Sequence, residues 1–372
     1  LLRVLRFLKK PRVADQNNMF KKILNITSLL SLIVALCNAQ TGAVTHKKVN
    51  LSKIISYQNP IKIEPLRDPQ IIFVNETYYM TGTSQLDGSI TKAGPGVKLF
   101  SSKNLTDWKL EKVLIKPDGW YKTRIWAPEI HQINNRFYLT LNAFAGNPVS
   151  QGVCMAVADK IDGDYTILTP DGPLCEGNDS HLFQDDNGKV YLFTSDNGGV
   201  ALHDQIVSRE ISLAPLKILT EKKVAISPGT KDDWDGSPAE NVAIEGPYVI
   251  KHRNLYYLFY SSWGRGYEVG YATSKNVNGP WVKFKNNPVY GAQSKEIAAR
   301  NQKIYTQAAN VPFTEVGHGN LFKTADGRWW LSCHAITNGS LPLMAIDPIS
   351  FDKKENVVVK LTWTKQTVGL KK

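Results

Sequence analysis

Leu66-Arg67-Asp68-Pro69-Gln70-Ile71-Ile72-Phe73 sets an acidic residue and a proline ahead of an apolar run, and Tyr78-Tyr79-Met80 follows a polar turn at Val74-Asn75-Glu76-Thr77. The layout recurs four times. Trp126-Ala127-Pro128-Glu129 leads through Ile130-His131-Gln132-Ile133 and a turn at Asn134-Asn135 to Phe137-Tyr138-Leu139. Asp179-Ser180-His181-Leu182-Phe183 leads past Asp186-Asn187-Gly188 to Val190-Tyr191-Leu192-Phe193. Glu245-Gly246-Pro247-Tyr248-Val249-Ile250 leads past Arg253-Asn254 to Tyr256-Tyr257-Leu258-Phe259-Tyr260, and Gly317-His318-Gly319-Asn320-Leu321-Phe322 past Asp326-Gly327 to Trp329-Trp330-Leu331. Each unit reads as two short strands joined by a hairpin, with Asn, Asp and Gly at turn positions because they tolerate positive φ. One polar residue marks each start: Asp68, Glu129, Asp179, Glu245 and His318, at spacings of 61, 50, 66 and 73 residues. Propeller blades of roughly 40–50 residues with loop insertions give such spacings. The pattern predicts an all-β chain folded as a five-bladed β-propeller of four-stranded blades. Its innermost strands would start around one axis and bring the five markers to a common mouth.

Flanking segments extend the repeat. Lys98 to Ser102 and the stretch through Trp108 read as third and fourth strands of the first blade, matched by Val153 to Ala158 in the second and Val269 to Ser274 in the fourth. No long amphipathic helix is present in the pattern, and Ile297 to Arg300 reads at most as a short one. Ala214 to Ala239, rich in Pro, Lys and Asp, reads as an inserted loop over the mouth, and Leu343 to Trp363 as strands completing the last blade. The expected division is residues 1–39 as upstream sequence plus signal peptide, 40–60 as a lead-in, 61–363 as the propeller, and 364–372 as a tail.

Composition narrows the function classes. Hydrophobic residues make up 42% of the 372, enough for a sizeable core. About two-thirds of the many aromatic rings are expected in strand packing, which suits them, leaving the rest to face sugars. The formal charge of +12 is inflated by residues 1–39; the remaining chain has 38 Lys and Arg against 32 Asp and Glu, and no dense basic run. That argues against nucleic acid as a partner. Met19 is the expected start, with Phe20-Lys21-Lys22 as a basic region, Ile23 to Leu36 as an apolar core and Cys37-Asn38-Ala39 as a small-residue cleavage site before Gln40. The run is shorter than the ~20 residues a membrane span needs. A lipid anchor on Cys37 is the alternative, with Leu36 a poor fit ahead of it. A secreted or periplasmic monomer is expected. Cys154, Cys175 and Cys333 remain, with core thiols as the plain expectation and a Cys154–Cys175 bridge as the alternative.

Acids are depleted in strands and rarely buried without a partner. Carboxylates at the starts of inner strands either bind nearby backbone N–H groups and arginines, or share a site. Two carboxylates across a cleft are the equipment for glycoside hydrolysis: one ionised to activate water or attack the anomeric carbon, the other protonated to donate to the leaving oxygen.

Arg67-Asp68-Pro69, Trp126-Ala127-Pro128-Glu129, Asp179-Ser180-His181-Leu182-Phe183 with Gln184-Asp185-Asp186-Asn187-Gly188-Lys189-Val190-Tyr191, Glu245-Gly246-Pro247 and Gly317-His318-Gly319 together resemble glycoside hydrolase family 43. The resemblance spans about residues 61–363 and implies a five-bladed β-propeller that hydrolyses glycosides with inversion. Carried over position by position, it implies Asp68 as general base, Glu245 as general acid, and Asp179 as the carboxylate that raises the acid's pKa and orients it. Inversion implies a base–acid separation of roughly 6.5–9.5 Å. Glu240 is the competing acid, without the following Gly-Pro. No cofactor is implied for the chemistry; a calcium ion or a water at the axis beside His318 is. Trp126, Glu129 and Trp263 are candidate substrate contacts, with Trp120 a weaker one and blade packing the alternative for each tryptophan. The family's last-blade arginine is replaced by His334, which leaves the sugar open. The implied substrate is a plant cell-wall polysaccharide or oligosaccharide, cut by an exo-acting enzyme releasing arabinofuranosyl or xylosyl units. An endo-arabinanase or galactan-active enzyme, and a non-catalytic carbohydrate-binding propeller, are the alternatives. The related fructan-cleaving enzymes need an earlier Asn-Asp-Pro, which does not occur here.

Overall fold

The computed structural model describes residues 54–146, 151–196, 205–236 and 244–370. Met19, the apolar run, Cys37 and Glu240 lie outside these residues. Strand β1 (Ile54–Tyr57) comes first. The first blade is β2 (Arg67–Val74), β3 (Thr77–Thr83), β4 (Val97–Ser102) and β5 (Lys109–Ile115); the second is β6 (Trp126–Ile133), β7 (Arg136–Phe144), β8 (Gln151–Ala158) and β9 (Thr166–Ile167). The third holds β10 (Asn178–Gln184), β11 (Val190–Asp196), β12 (Gln205–Leu213), β13 (Leu216–Ile218) and β14 (Lys223–Ile226). The fourth holds β15 (Ile244–His252), β16 (Leu255–Ser262), β17 (Gly266–Ser274), β18 (Val282–Lys283) and β19 (Tyr290–Gln293), followed by helix α1 (Lys295–Arg300). The fifth is β20 (Phe313–Lys323), β21 (Trp329–Thr337) and β22 (Leu343–Pro348); β23 (Ser350–Phe351) with β24 (Val357–Val358), and β25 (Gln366–Gly369), follow. The fold is a five-bladed β-propeller with all ladders antiparallel, as the repeat predicts.

Strand counts per blade differ from the uniform four expected. Among the described residues, the third and fourth blades have five strands and the fifth has three. Residues 343–348 give that blade its third strand, and its outer edge is met from the other end of the chain: Ile61 N donates to the Met344 carbonyl at 2.7 Å, and Leu66 N to Pro342 at 3.2 Å. The ring thus closes through the first residues of the expected propeller, and β1, from the expected lead-in, pairs with β25, from the expected tail. The buried Asp347 carboxylate fastens the joint by accepting from Tyr57, Tyr290, Thr362 and Asn59. The stretch read as a loop over the mouth is partly sheet: β13 and β14 pair with β12. Its described remainder packs on the fourth blade, where Asp235 accepts from Tyr260 and Lys283.

Five apolar clusters lie one at each interface between neighbouring blades. Tyr57, Tyr78, Tyr257, Phe259, Tyr271 and Trp330 are buried there, so most aromatic residues serve packing. Cys154 and Cys333 are buried core thiols, and Cys175 is a free, partly buried one. No helix among the described residues is long and apolar enough to cross a membrane.

Candidate active site

Each innermost strand starts with the same defect. Arg67 lies opposite Thr83, but Gln70 lies opposite Thr81, so three steps on β2 oppose two on β3. The same skip falls between Trp126 and Glu129, Asn178 and His181, Glu245 and Tyr248, and Gly317 and Asn320. These are β-bulges, which re-aim side chains at a barrel or propeller rim. The second residue of each bulge has positive φ: Asp68 (56°), Ala127 (43°), Asp179 (53°), Gly246 (60°) and His318 (57°). Four of the five are not glycine, and each such residue costs about 1–2 kcal/mol. Gly246 has a second reason: a Cβ there would stand 3.3 Å from the His318 ring.

The bulges reassign the five markers. Asp68, Asp179 and His318 are equivalent to one another, with Ala127 and Gly246 completing that ring. Glu245 stands one position earlier, level with Arg67, Trp126, Asn178 and Gly317. Glu129 stands two positions later, level with Gln70, His181, Tyr248 and Asn320. Counting from hairpin turns hides this, because a bulge adds a residue without changing the apolar pattern.

A cavity of about 250 Å³ at the mouth is lined by Asp68, Asp179, Glu245, His318, His334, Arg67, Trp126, Trp263 and Tyr267, among others. Trp126 and Trp263 thus reach the mouth as expected. Glu129 does not line it: it is 3% exposed and its Oε2 is bound by His131 and His181. Its place one layer deeper removes it from the substrate contacts. Trp120 packs between loops, donating to the Thr169 carbonyl.

Asp68 Oδ2 accepts from the Thr83 hydroxyl at 2.6 Å, and Oδ1 lies 3.2 Å from both His318 Nδ1 and His334 Nδ1. The Arg67 guanidinium, always a donor, sits 3.0 Å from His334 Nε2, so His334 carries its proton on Nδ1, toward Asp68. Burial pushes the His334 imidazole down to about 4 and keeps it neutral. Burial alone would raise Asp68, but the His318 charge, His334 and Thr83 hold its carboxyl well below the usual carboxylate range. Asp68 is therefore an ionised group with three donors.

Glu245 Oε1 accepts from the Tyr267 hydroxyl at 2.5 Å and the Trp263 indole N–H at 2.8 Å. Trp263 and Tyr267 stack with ring centroids 3.8 Å apart, so the two donors form one rigid clamp. The Tyr267 oxygen lies 3.3 Å from His318 Nδ1. The links Asp68–His318, His318–Tyr267 and Tyr267–Glu245 (3.2, 3.3 and 2.5 Å) cap the separation of Asp68 and Glu245 below the upper limit of the roughly 6.5–9.5 Å inverting range. Asp179 Oδ2 accepts from the Gly246 N–H at 3.0 Å, next in chain to Glu245. Burial, then the charges of Glu245 and Asp68, raise the Asp179 carboxyl well above the usual range. Burial would lower His318, but Asp68, Asp179, Glu245 and Glu129 outweigh it and push the imidazole up to about 9. A cation thus sits among the carboxylates.

Among the described residues, two groups of side chains converge closely enough to hold a metal ion: Asp179 with Glu245 and His318, and Glu129 with His131 and His181. Calcium takes six to eight oxygen ligands. The mouth trio offers a nitrogen that carries a proton at neutral pH, and carboxylates already engaged by Gly246, Tyr267 and Trp263. These donors do not make a calcium cage. Thr83, Tyr267 and the Arg67–His334 pair escape a sequence reading, because only register across the bulges brings them to the carboxylates.

The family model for glycosyl hydrolases family 43 matches residues 57–367. The chain belongs to this family. Family 43 enzymes are glycosidases that hydrolyse O-glycosyl compounds and need no cofactor for catalysis. The chain is 26% identical over 291 residues to a xylan 1,3-beta-xylosidase of Vibrio sp, covering 74% of this chain and 49% of that one. It is 24% identical over 309 residues to an extracellular exo-alpha-(1->5)-L-arabinofuranosidase of Cellvibrio japonicus, covering 73% and 78%. The chain spans about half the length of the first curated relatives it matches. Among solved structures it superposes on a thermostable family-43 glycoside hydrolase with a TM-score of 0.69 and 25% identity, covering 85% of this chain and 99% of that one.

Proposed function

We propose that this family 43 propeller is an exo-acting, inverting glycosidase that removes arabinofuranosyl or xylosyl units from plant cell-wall polysaccharides or oligosaccharides. The observation that carries the reading is the mouth cavity. At about 250 Å³ it lies below the roughly 300–1,000 Å³ of pockets for drug-sized ligands, so it suits one terminal sugar ring rather than a chain passing through. Asp68 and Glu245 both line it, which a purely binding propeller would not require.

Asp68 serves as the base. Ionised and oriented by Thr83, His318 and His334, it takes a proton from water as that water attacks the anomeric carbon. Glu245 serves as the acid, giving its proton to the leaving oxygen as the glycosidic bond breaks. Trp263 and Tyr267 hold Oε1 in one place, and Asp179 supports the acid through the Gly246 N–H and its own negative field when ionised. Trp126 and Trp263 line the cavity the sugar would fill. His318 Nε2 is buried without a hydrogen-bond partner among the described residues, and as an imidazolium N–H it would donate to a water at the axis; the steps above do not pass through it. Export is part of the reading, supported by the apolar run Ile23 to Leu36 and by extracellular relatives.

The test is a parallel assay on aryl arabinofuranoside, aryl xyloside and linear arabinan, with products resolved over time. Monosaccharide as the first product supports the reading. Oligosaccharides appearing first from arabinan would establish the endo alternative, and no turnover of any glycoside the binding one.

A further inference from the structure

Beneath the catalytic ring, three side chains that the reaction does not use point at one another. Glu129 and His131 come from β6, in the second blade, and His181 from β10, in the third. All three are buried, at 3, 8 and 2% exposure. Glu129 Oε2 lies 3.1 Å from His131 Nε2 and 2.8 Å from His181 Nδ1. We propose that Glu129, His131 and His181 bind one divalent transition-metal ion that joins the second blade to the third.

The three donor atoms lie within 4.8 Å of one another, with the carboxylate oxygen common to both short contacts. With the His181 proton on Nε2, toward the Val249 carbonyl at 3.4 Å, Nδ1 turns its lone pair to the cluster. His131 Nε2 does the same once the 3.4 Å approach of the Leu182 N–H gives way to the ion. One ion at the centre then takes all three donors, in place of ring N–H groups donated to the carboxylate. The His181 N–H held by a backbone carbonyl is also the outer-shell arrangement metal-binding histidines use to fix their tautomer.

Donor chemistry selects the ion. Two imidazole nitrogens and one carboxylate oxygen suit zinc-like ions, whereas calcium and magnesium prefer oxygen. Tetrahedral bonds of about 2.0–2.2 Å put ligand atoms roughly 3.3 Å apart. The two spacings to Glu129, 3.1 and 2.8 Å, would open by a few tenths of an ångström, and all three ligand atoms already lie within 4.8 Å of one another. His131 and His181 line a second cavity, of about 790 Å³, that reaches Lys251 and Lys323 at the far ends of the innermost strands. This cavity supplies both an entry path and a water for the fourth position. That second cavity is lined by none of Asp68, Asp179 and Glu245, so the ion's role is to hold blades together.

The experiment uses the full chain, stripped with a chelator and titrated with cobalt(II), then zinc(II). One cobalt per chain is expected, with the visible absorption of a four-coordinate site, and a higher Tm on adding zinc. His181→Gln and Glu129→Gln should each weaken cobalt binding by more than the roughly 10–100-fold that loss of an outer-shell partner costs. His318→Gln, at the mouth, should leave it unchanged. A wild-type chain with no four-coordinate cobalt band and no zinc-dependent Tm would show a cluster closed by a proton alone. Cobalt lost in His318→Gln but kept in His181→Gln would place the ion at the mouth. Either result overturns the proposal. The wild-type titration decides it even where a variant fails to fold.

Discussion

His318→Gln should flatten the alkaline side of the stability profile. His318 is buried among Asp68 at 3.2 Å, Asp179 at 4.0 Å and the Tyr267 oxygen at 3.3 Å. At an effective dielectric of about 20, one such contact at 3.2 Å is worth about 5 kcal/mol of gross attraction. Burial opposes it, and the net is an imidazole raised from 6.5 to about 9. At about 1.4 kcal/mol per pKa unit, this is on the order of 3 kcal/mol. A raised folded-state value means the stabilisation is complete below the unfolded pKa near 6.5 and disappears as pH rises through about 9. Asp179, also raised, titrates in the same direction, so the informative quantity is the wild-type-minus-variant difference. Urea unfolding at intervals from pH 6 to pH 10 should show that difference shrinking by on the order of 3 kcal/mol between about pH 6.5 and 9. A difference that stays constant across the window would mean His318 is neutral in the folded protein and does not bridge the carboxylates.

Tyr267→Phe removes a hydrogen bond to Glu245 that becomes charge-assisted, and worth roughly 1.5–3 kcal/mol, as the acid gives up its proton, so kcat/KM should fall about 10- to 100-fold, more for unactivated than for aryl substrates. An equal fall on both would place Tyr267 outside the acid's support. Thr83→Val removes the donor to Asp68 and the acceptor of the Ala127 N–H. It should cost about 1–3 kcal/mol in unfolding experiments and shift the acid limb of the kcat/KM profile upward in pH, because a carboxylate losing a hydrogen bond is easier to protonate. Gly246→Ala adds a Cβ at a φ of 60° and against His318. The expected cost is about 1–2 kcal/mol of stability, read by urea midpoint, together with lower kcat.

The repeat made the propeller legible because Asn, Asp and Gly turns between apolar runs have only one economical reading, and five of them set the blade number. Closure was harder to read. Ile61 meeting Met344, and β1 meeting β25, are pairings across nearly the whole chain, and no local pattern announces them. β13 and β14 were hidden by Pro215 and by a lysine-rich composition that reads as loop. At the mouth, Asp68, Asp179, Glu245, His318, Trp126 and Trp263 were all visible as residues, and the cavity gathers them. Glu129 was misplaced because the bulge shifts it two positions past Ala127, onto the deeper ring where histidines bind it. Tyr267 and Thr83 carry no sequence signal of their own; each gains its role only from the strand register.

The division of labour between Asp68 and Glu245 is tested most directly by leaving-group dependence. The measurement is kcat/KM for Asp68→Asn and Glu245→Gln on an aryl glycoside with a low-pKa phenol and on the matching natural oligosaccharide. Asp68→Asn should lose turnover on both, because water loses its activating group however good the leaving group is. Glu245→Gln should retain far more activity on the aryl glycoside, which needs little protonation as the bond breaks. Equal losses in Glu245→Gln on the two substrates, with the leaving-group dependence appearing in Asp68→Asn, would mean that base and acid are exchanged.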